Sequence, residues 1–178
     1  MKIGVLDSTK RNYSHHINFK RTGEPKAQGD QDGAFTLAAG IDASTAVTIG
    51  HGLGVAPHMI IVKSRGSSAN WDVFHNSPGS TMGAGNKLYL NGTNSQISSG
   101  AWGSTLPTTS VFTFNPGNQN NNNHIAYCWH SVPGYSKIGV YRANGNADGP
   151  YEHTGFKPAW IMIKNQSNSS APWYIIDN

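Results

Sequence analysis

One cysteine, nine carboxylates and no long apolar run set the first limits on this chain of 178 residues. A single thiol, Cys128, cannot close a disulfide within the chain, so this is not a small scaffold held by staples. Inside an apolar stretch it reads as a buried, inert thiol; a nucleophilic role would need His130 as its base, and the flanking residues carry no cysteine-hydrolase signature. Charged residues are only 12% of the sequence, and no block of like charges forms an interaction tail. Nothing approaches the ~20 consecutive apolar residues of a membrane-spanning helix, and no segment has the layout of a signal peptide. A sustained helical period is also missing, because the 21 glycines and 9 prolines interrupt nearly every candidate. Val, Ile, Thr, Trp and Tyr fill what is left. The chain therefore reads as all-β.

Catalytic and metal-binding constellations are equally scarce. The 8 histidines fall at no spacing that gathers three ligands, and adjacent His15 and His16 would point to opposite faces of a strand. Asp30 and Asp32, in a Gly-Asp-Gln-Asp-Gly stretch, suit either a loop calcium site or an ordinary turn. No catalytic residue, metal or cofactor is assigned, and the expectation is a protein that is not an enzyme. Paired carboxylates facing across a glycosidase cleft stay open at this point.

What the chain does have is a segment that occurs twice. Residues 54–63, GVAPHMIIVK, align with residues 155–164, GFKPAWIMIK. After a polar Ser/Asn stretch, WDVFHN at 71–76 meets WYIIDN at 173–178. One inserted loop residue restores the register. Each copy reads as turn, apolar strand, polar loop and Trp-led strand, anchored by Pro57, Lys63 and Trp71 in the first and by Pro158, Lys164 and Trp173 in the second. Recurrence gives Trp71 and Trp173 a packing role. A shorter echo, KIGV at 2–5 and again at 137–140, suits a segment cut from a longer array.

Other strands follow from local pattern. Residues 58–63 have no polar face, which suits a strand covered on both sides. Residues 87–90 end at Asn91-Gly92, a tight-turn signal. Residues 109–115 alternate Val111 and Thr113 against Phe112 and Phe114, and residues 124–130 set Ile125, Tyr127 and Trp129 against Ala126, Cys128 and His130. A further strand is expected over 137–142. Short strands with turn signals at this spacing predict an antiparallel β-sandwich or barrel. The expected organisation is a basic arm or connector over 1–45, or there the tail of an upstream repeat, a first β-sandwich repeat over 46–136, and the opening part of a second, unfinished repeat over 137–178.

The net charge of +4 is uneven: Lys2, Lys10, Arg11, Lys20, Arg21 and Lys26 crowd the first 26 residues. Their spacing reads as a solvated arm rather than one that grips nucleic acid. Trp102 sits among small, polar and flexible neighbours, where it can stack on a sugar ring or fold back over the core. The run that includes Asn120, Asn121 and Asn122 suits either a connecting loop or hydroxyl recognition. These four residues form the candidate glycan-binding set.

The order and spacing of these motifs carry a resemblance. GLGVAP-x-MIIVK with Trp71 downstream, YCWH at 127–130, VPGYSK at 132–137, and GNADGP at 145–150 leading to TGFKPAW at 154–160 resemble repeats of tail-fibre and other virion structural proteins of tailed, cyanophage-like marine bacteriophages. The resemblance covers residues 46–178. It implies a concanavalin A-like jelly-roll sandwich with an internal repeat, placed in a virion appendage and used for host attachment. It also implies partners that are further copies of the chain or other virion proteins, with host surface glycan as a target, and neither nucleic acid nor membrane insertion. A free-standing lectin or carbohydrate-binding module and a fragment of a capsular polysaccharide depolymerase are the other function classes.

Overall fold

The computed structural model describes residues 2–7, 34–36, 46–117 and 123–177. Among them are eleven strands: β1 (Lys2–Asp7), β2 (Ala34–Thr36), β3 (Val47–Gly50), β4 (Met59–Ser64), β5 (Asp72–His75), β6 (Asn86–Tyr89), β7 (Ile97–Ser98), β8 (Val111–Phe114), β9 (Asn123–Trp129), β10 (Pro158–Lys164) and β11 (Trp173–Asp177). A 3-10 turn lies at Gly83–Gly85, and among the described residues no helix is long and apolar enough to cross a membrane. The protein is all-β, and every strand pairing described is antiparallel.

Strand β4 organises the molecule. Successive side chains of a strand point to opposite faces, so an unbroken apolar run is stable only when both faces are covered. Ile60 and Val62 enter one core cluster, and Met59 and Ile61 enter a second on the other side. β5 divides in the same way, with Phe74 in the first cluster and Val73 in the second. Around this pair runs a six-stranded sheet in the order β2-β9-β4-β5-β6-β7. β9 alternates as its sequence requires: His124, Ala126 and Cys128 are buried, while Ile125 and Tyr127 are half-buried.

The two-stranded sheet β3-β8 packs over the first face, which makes an antiparallel β-sandwich. Ile49 comes from β3, and Phe112 and Phe114 from β8. The filling between the layers is Trp102, 1% exposed, with its ring 5.4 Å from Phe74 and 5.6 Å from Phe114. The chain reaches this position through Gly103, whose φ of +58° is in the left-handed region and whose Cα faces the Thr113 methyl so closely that an added Cβ would lie 2.6 Å from it.

The second face is covered from further along the chain. Ile138 is buried there, and Val140 and Trp173 pack against the same cluster. The strand expected over 137–142 is not formed. Within it only Gly139 is in a β-bridge; the Ile138 amide donates to the Ser131 hydroxyl (2.9 Å), and that hydroxyl donates back to the Ile138 carbonyl (3.4 Å), so at Ile138 a side chain takes the bonds a strand partner would use.

The remaining sheet has the order β1-β10-β11. In the β4–β5 hairpin the register is Met59↔His75, Ile60↔Phe74, Ile61↔Val73 and Val62↔Asp72. In the β10–β11 hairpin it is Trp160↔Asp177, Ile161↔Ile176, Met162↔Ile175 and Ile163↔Tyr174. These are the same pairs under the sequence alignment of 54–76 with 155–178. The glycines that open the aligned segments, Gly54 and Gly155, have φ of +74° and +81°. β10 also has a partner on its other side, β1, as β4 has β9. Residues 2–7 and 34–36 of the expected arm thus take part in sheets, through β1 and β2.

Candidate functional site

The first concentration of reactive side chains lies at one end of the six-stranded sheet. His58 immediately precedes β4, His75 closes β5, and His130 follows β9, so three histidines far apart in sequence arrive at neighbouring strand ends. Each has at least one ring nitrogen already engaged. The Ser131 amide donates to His58 Nδ1 (3.1 Å), and His130 Nδ1 donates to the Ser131 carbonyl (2.8 Å). The hydroxyls of Ser80 and Ser77 lie 3.1 and 3.4 Å from the two nitrogens of His75, which is wholly buried. Burial pushes His75 down to about 4, with the nearby His58 adding to the effect. Burial first, and then the charge of His130, lowers His58. A neutral imidazole whose nitrogen accepts a backbone N–H is a structural group; protonation would set donor against donor.

His51 follows the same rule elsewhere in the fold. The Leu53 amide donates to its Nδ1 (3.2 Å) and its Nε2 donates to the Thr108 carbonyl (3.1 Å), while burial lowers its pKa. Cys128 is buried in the first core cluster, and burial drives its thiol well above the ordinary range. The buried Asp72 pairs with Lys87 at 3.0 Å; burial raises its carboxyl, and Lys87 opposes the shift. Among the described residues no group of three His, Cys, Asp or Glu side chains is placed to hold a metal ion.

A second feature is aromatic. Tyr127 and Trp129 alternate onto the same face of β9, and their rings stack at 5.9 Å with 16° between planes. Trp129 is 37% exposed, a large flat apolar surface supported from the side by another ring. Such a platform can take the apolar face of a pyranose ring. Sequence reading placed Trp129 on this face but gave it no role; its position as the last residue of β9, before the chain turns at His130-Ser131, was the signal available.

The residues singled out from sequence fall as follows. Trp102 is the filling of the sandwich, which removes it from the glycan-binding set: a ring enclosed by Phe74, Phe114 and the other members of its cluster offers no face to a sugar. Asn120, Asn121 and Asn122 lie outside the described residues, as do His15, His16, Asp30 and Asp32. Pro57 is buried and Pro158 half-buried at the starts of the two hairpins. Trp71 and Trp173 are both half-buried and border the same second cluster rather than two separate cores. Trp173 Nε1 donates to the Tyr89 carbonyl (2.8 Å), which fastens the β10–β11 hairpin to β6.

Lys63 and Lys164 are the most informative of the anchors. Lys63 Nζ donates to the carbonyls of Ser64 (2.6 Å) and Ser67 (2.9 Å). Lys164 Nζ, in a wholly buried residue, donates to the carbonyls of Asn165 (3.0 Å), Ala171 (2.8 Å) and Thr93 (3.1 Å). Each ammonium closes the loop that follows its strand, and the second also ties that loop to the first hairpin's side of the molecule. Burial lowers the Lys164 pKa.

Against known proteins, residues 26–178 match the family model described as a domain of unknown function, DUF7483, and the chain belongs to that family. No curated protein and no solved structure matches it.

Proposed function

We propose that this DUF7483 domain is a non-catalytic structural module of a tailed-phage particle, part of a tail fibre or adhesin, and that it touches host surface glycan. The observation that carries the reading is the common register of the β4–β5 and β10–β11 hairpins, each locked by a lysine at the same position. A unit that recurs with its own loop clamp is what an elongated appendage is assembled from. The finer description of the fold, a concanavalin A-like jelly roll with an internal repeat, is part of this proposal and rests on the same correspondence. So does the motif order that resembles virion structural repeats.

The glycan contact rests on the stacked Tyr127–Trp129 platform. Mass spectrometry of purified particles of a phage that encodes this chain tests the placement: peptides from residues 46–178 are expected in the particle, and their absence would overturn it. A glycan array with the intact chain and a Trp129→Ala variant tests the contact. Binding that Trp129→Ala abolishes supports it, and binding by neither protein removes it. Release of reducing sugar from host capsule would replace the whole reading with that of a depolymerase.

A further inference from the structure

The sequence holds two Asn-Gly pairs, 91–92 and 144–145, and the fold treats them in opposite ways. An asparagine followed by glycine is prone to lose its amide, because the glycine nitrogen, with no side chain beside it, can reach the asparagine side-chain carbon. Whether it does so depends on what holds the carboxamide and the glycine amide.

At Asn91 both are held. Its Oδ1 accepts from the Trp71 amide (3.0 Å) and its Nδ2 donates to Asn70 Oδ1 (2.9 Å), so the carboxamide is tied across to the residues that lead into β5. The Gly92 amide is turned back to the Tyr89 carbonyl (3.3 Å). The space is taken as well: a Cβ added at Gly92 would lie 2.9 Å from Asn94 Oδ1 and 3.2 Å from Tyr89 Cβ.

Asn144 lies in the exposed stretch 142–148. Among the described residues the Gly145 amide has no hydrogen-bond partner, and no atom outside its chain neighbours comes within 4 Å of where a Cβ would be. The carboxamide has a local bond instead: Asn144 Oδ1 accepts from the Asn146 amide (3.0 Å), which closes a ring around the Gly145 peptide and keeps the side chain folded over it. That donor also points at the oxygen on which charge develops when the side-chain carbon is attacked.

We propose that Asn144 is a site of self-modification, deamidating through a cyclic imide. The Gly145 nitrogen, after giving its proton to solvent base, forms a bond to Asn144 Cγ. Oδ1 takes the electron pair and returns it as the Cγ–Nδ2 bond breaks, and Nδ2 leaves as ammonia with a proton from water. Water then opens the five-membered imide. Attack at Cγ gives aspartate; attack at the Asn144 main-chain carbonyl carbon gives isoaspartate, in which the chain runs through the former side chain. The balance is one water consumed and one ammonia released, with no oxidation or reduction. Each event lowers the formal charge of +4 by one. The isoaspartate also adds a methylene to the main chain just ahead of the turn that the Gly149 amide closes on the Asn146 carbonyl (3.0 Å). Nothing in this chemistry depends on where the domain serves.

The test is a time course on the intact 178-residue chain in mildly alkaline buffer made with heavy-oxygen water, read by peptide mass mapping. The peptide that contains Asn144 is expected to gain the mass difference between amide and acid with one heavy oxygen, and fragmentation should show aspartate and isoaspartate together. Asn91 should convert at least ~10-fold more slowly, because two modest hydrogen bonds must open first. In urea, where neither site is held, the two rates should converge. Asn144→Gln should end the gain in that peptide, and Gly145→Ala should slow it; both positions are exposed, so the core is untouched. An Asn144 that stays an amide while a free peptide of residues 142–148 converts overturns the proposal. So do equal rates at Asn91 and Asn144 in the folded chain.

Discussion

Lys63 and Lys164 hold corresponding positions in two hairpins, and each ammonium donates to the carbonyl of the residue that follows it, Ser64 in one case and Asn165 in the other. Their surroundings differ. Lys63 is half-buried with two carbonyl partners, whereas Lys164 is wholly buried with three. Lys164→Met should cost about 3 kcal/mol, because three backbone carbonyls, those of Thr93, Asn165 and Ala171, lose a charged donor held inside the fold. Lys63→Met, which removes two such bonds from a lysine only half-buried, should cost about 1 kcal/mol. Urea denaturation of both variants checks the ranking, and equal costs would show that the Lys164 cage contributes nothing of its own.

Acid should weaken the fold through its histidines. His51, His58 and His75 all have pKa values lowered by burial, so near neutral pH they are uncharged in both the folded and the unfolded chain. As pH falls below about 6.5 the unfolded chain takes up protons that the folded one refuses, and stability declines until the folded values are reached. For His75, at about 4, that loss amounts to roughly 3 kcal/mol. Asp72, raised by burial, works in the opposite sense, but as one group against three. Denaturation midpoints measured from pH 7 to pH 4 should fall, and His75→Gln should flatten the curve.

Trp102 separates volume from hydrogen bonding. Its Nε1 finds no acceptor among the described residues, although the ring is buried between Phe74 and Phe114. Trp102→Ala should cost ~3–5 kcal/mol by opening the sandwich. Trp102→Phe should cost under about 2 kcal/mol, since it keeps an aromatic ring and removes an unpartnered donor. Thermal or chemical denaturation distinguishes them, and a phenylalanine variant as unstable as the alanine one would contradict this account.

At Gly103 two constraints coincide. A methyl there would meet the left-handed φ of +58° and would lie 2.6 Å from Thr113 Cγ2 and 3.2 Å from Ala46 Cβ. Gly103→Ala should cost about 2–4 kcal/mol from strain and overlap together. Thr113→Ser, which deletes the offending methyl, should recover part of that in a double-mutant cycle. Gly54→Ala, with a similar φ but open space around it, should cost about 1 kcal/mol.

Local pattern made much of the sheet legible. The missing polar face of β4 marked a strand covered on both sides, and the period-two alternation of β8 and β9 gave their inward faces before any partner was known. Facts that depend on distant partners were not legible. Trp102 sits among small and polar neighbours in sequence, and only Phe74 and Phe114, brought in by other strands, make its surroundings apolar. Residues 137–142 have the composition of a strand, yet Ser131 takes the Ile138 backbone bonds, a competition that composition does not record. The gathering of His58, His75 and His130 comes from strand register, so no spacing in the chain could announce it.

The pairing of β1 with β10 ties the start of the chain to residues 158–164. During synthesis, β1 leaves the ribosome with no partner made. At 5–20 residues per second, the stretch from Asp7 to Pro158 takes roughly 8–30 s to produce. Most of the six-stranded sheet can form in that interval, because β4, β5, β6 and β9 all precede β10. The β1-β10-β11 sheet is thus the last part able to assemble, a non-local closure that is slow by its topology. Until then β1 is a strand without its mate, open to capture by a neighbouring nascent chain at the same stage of synthesis.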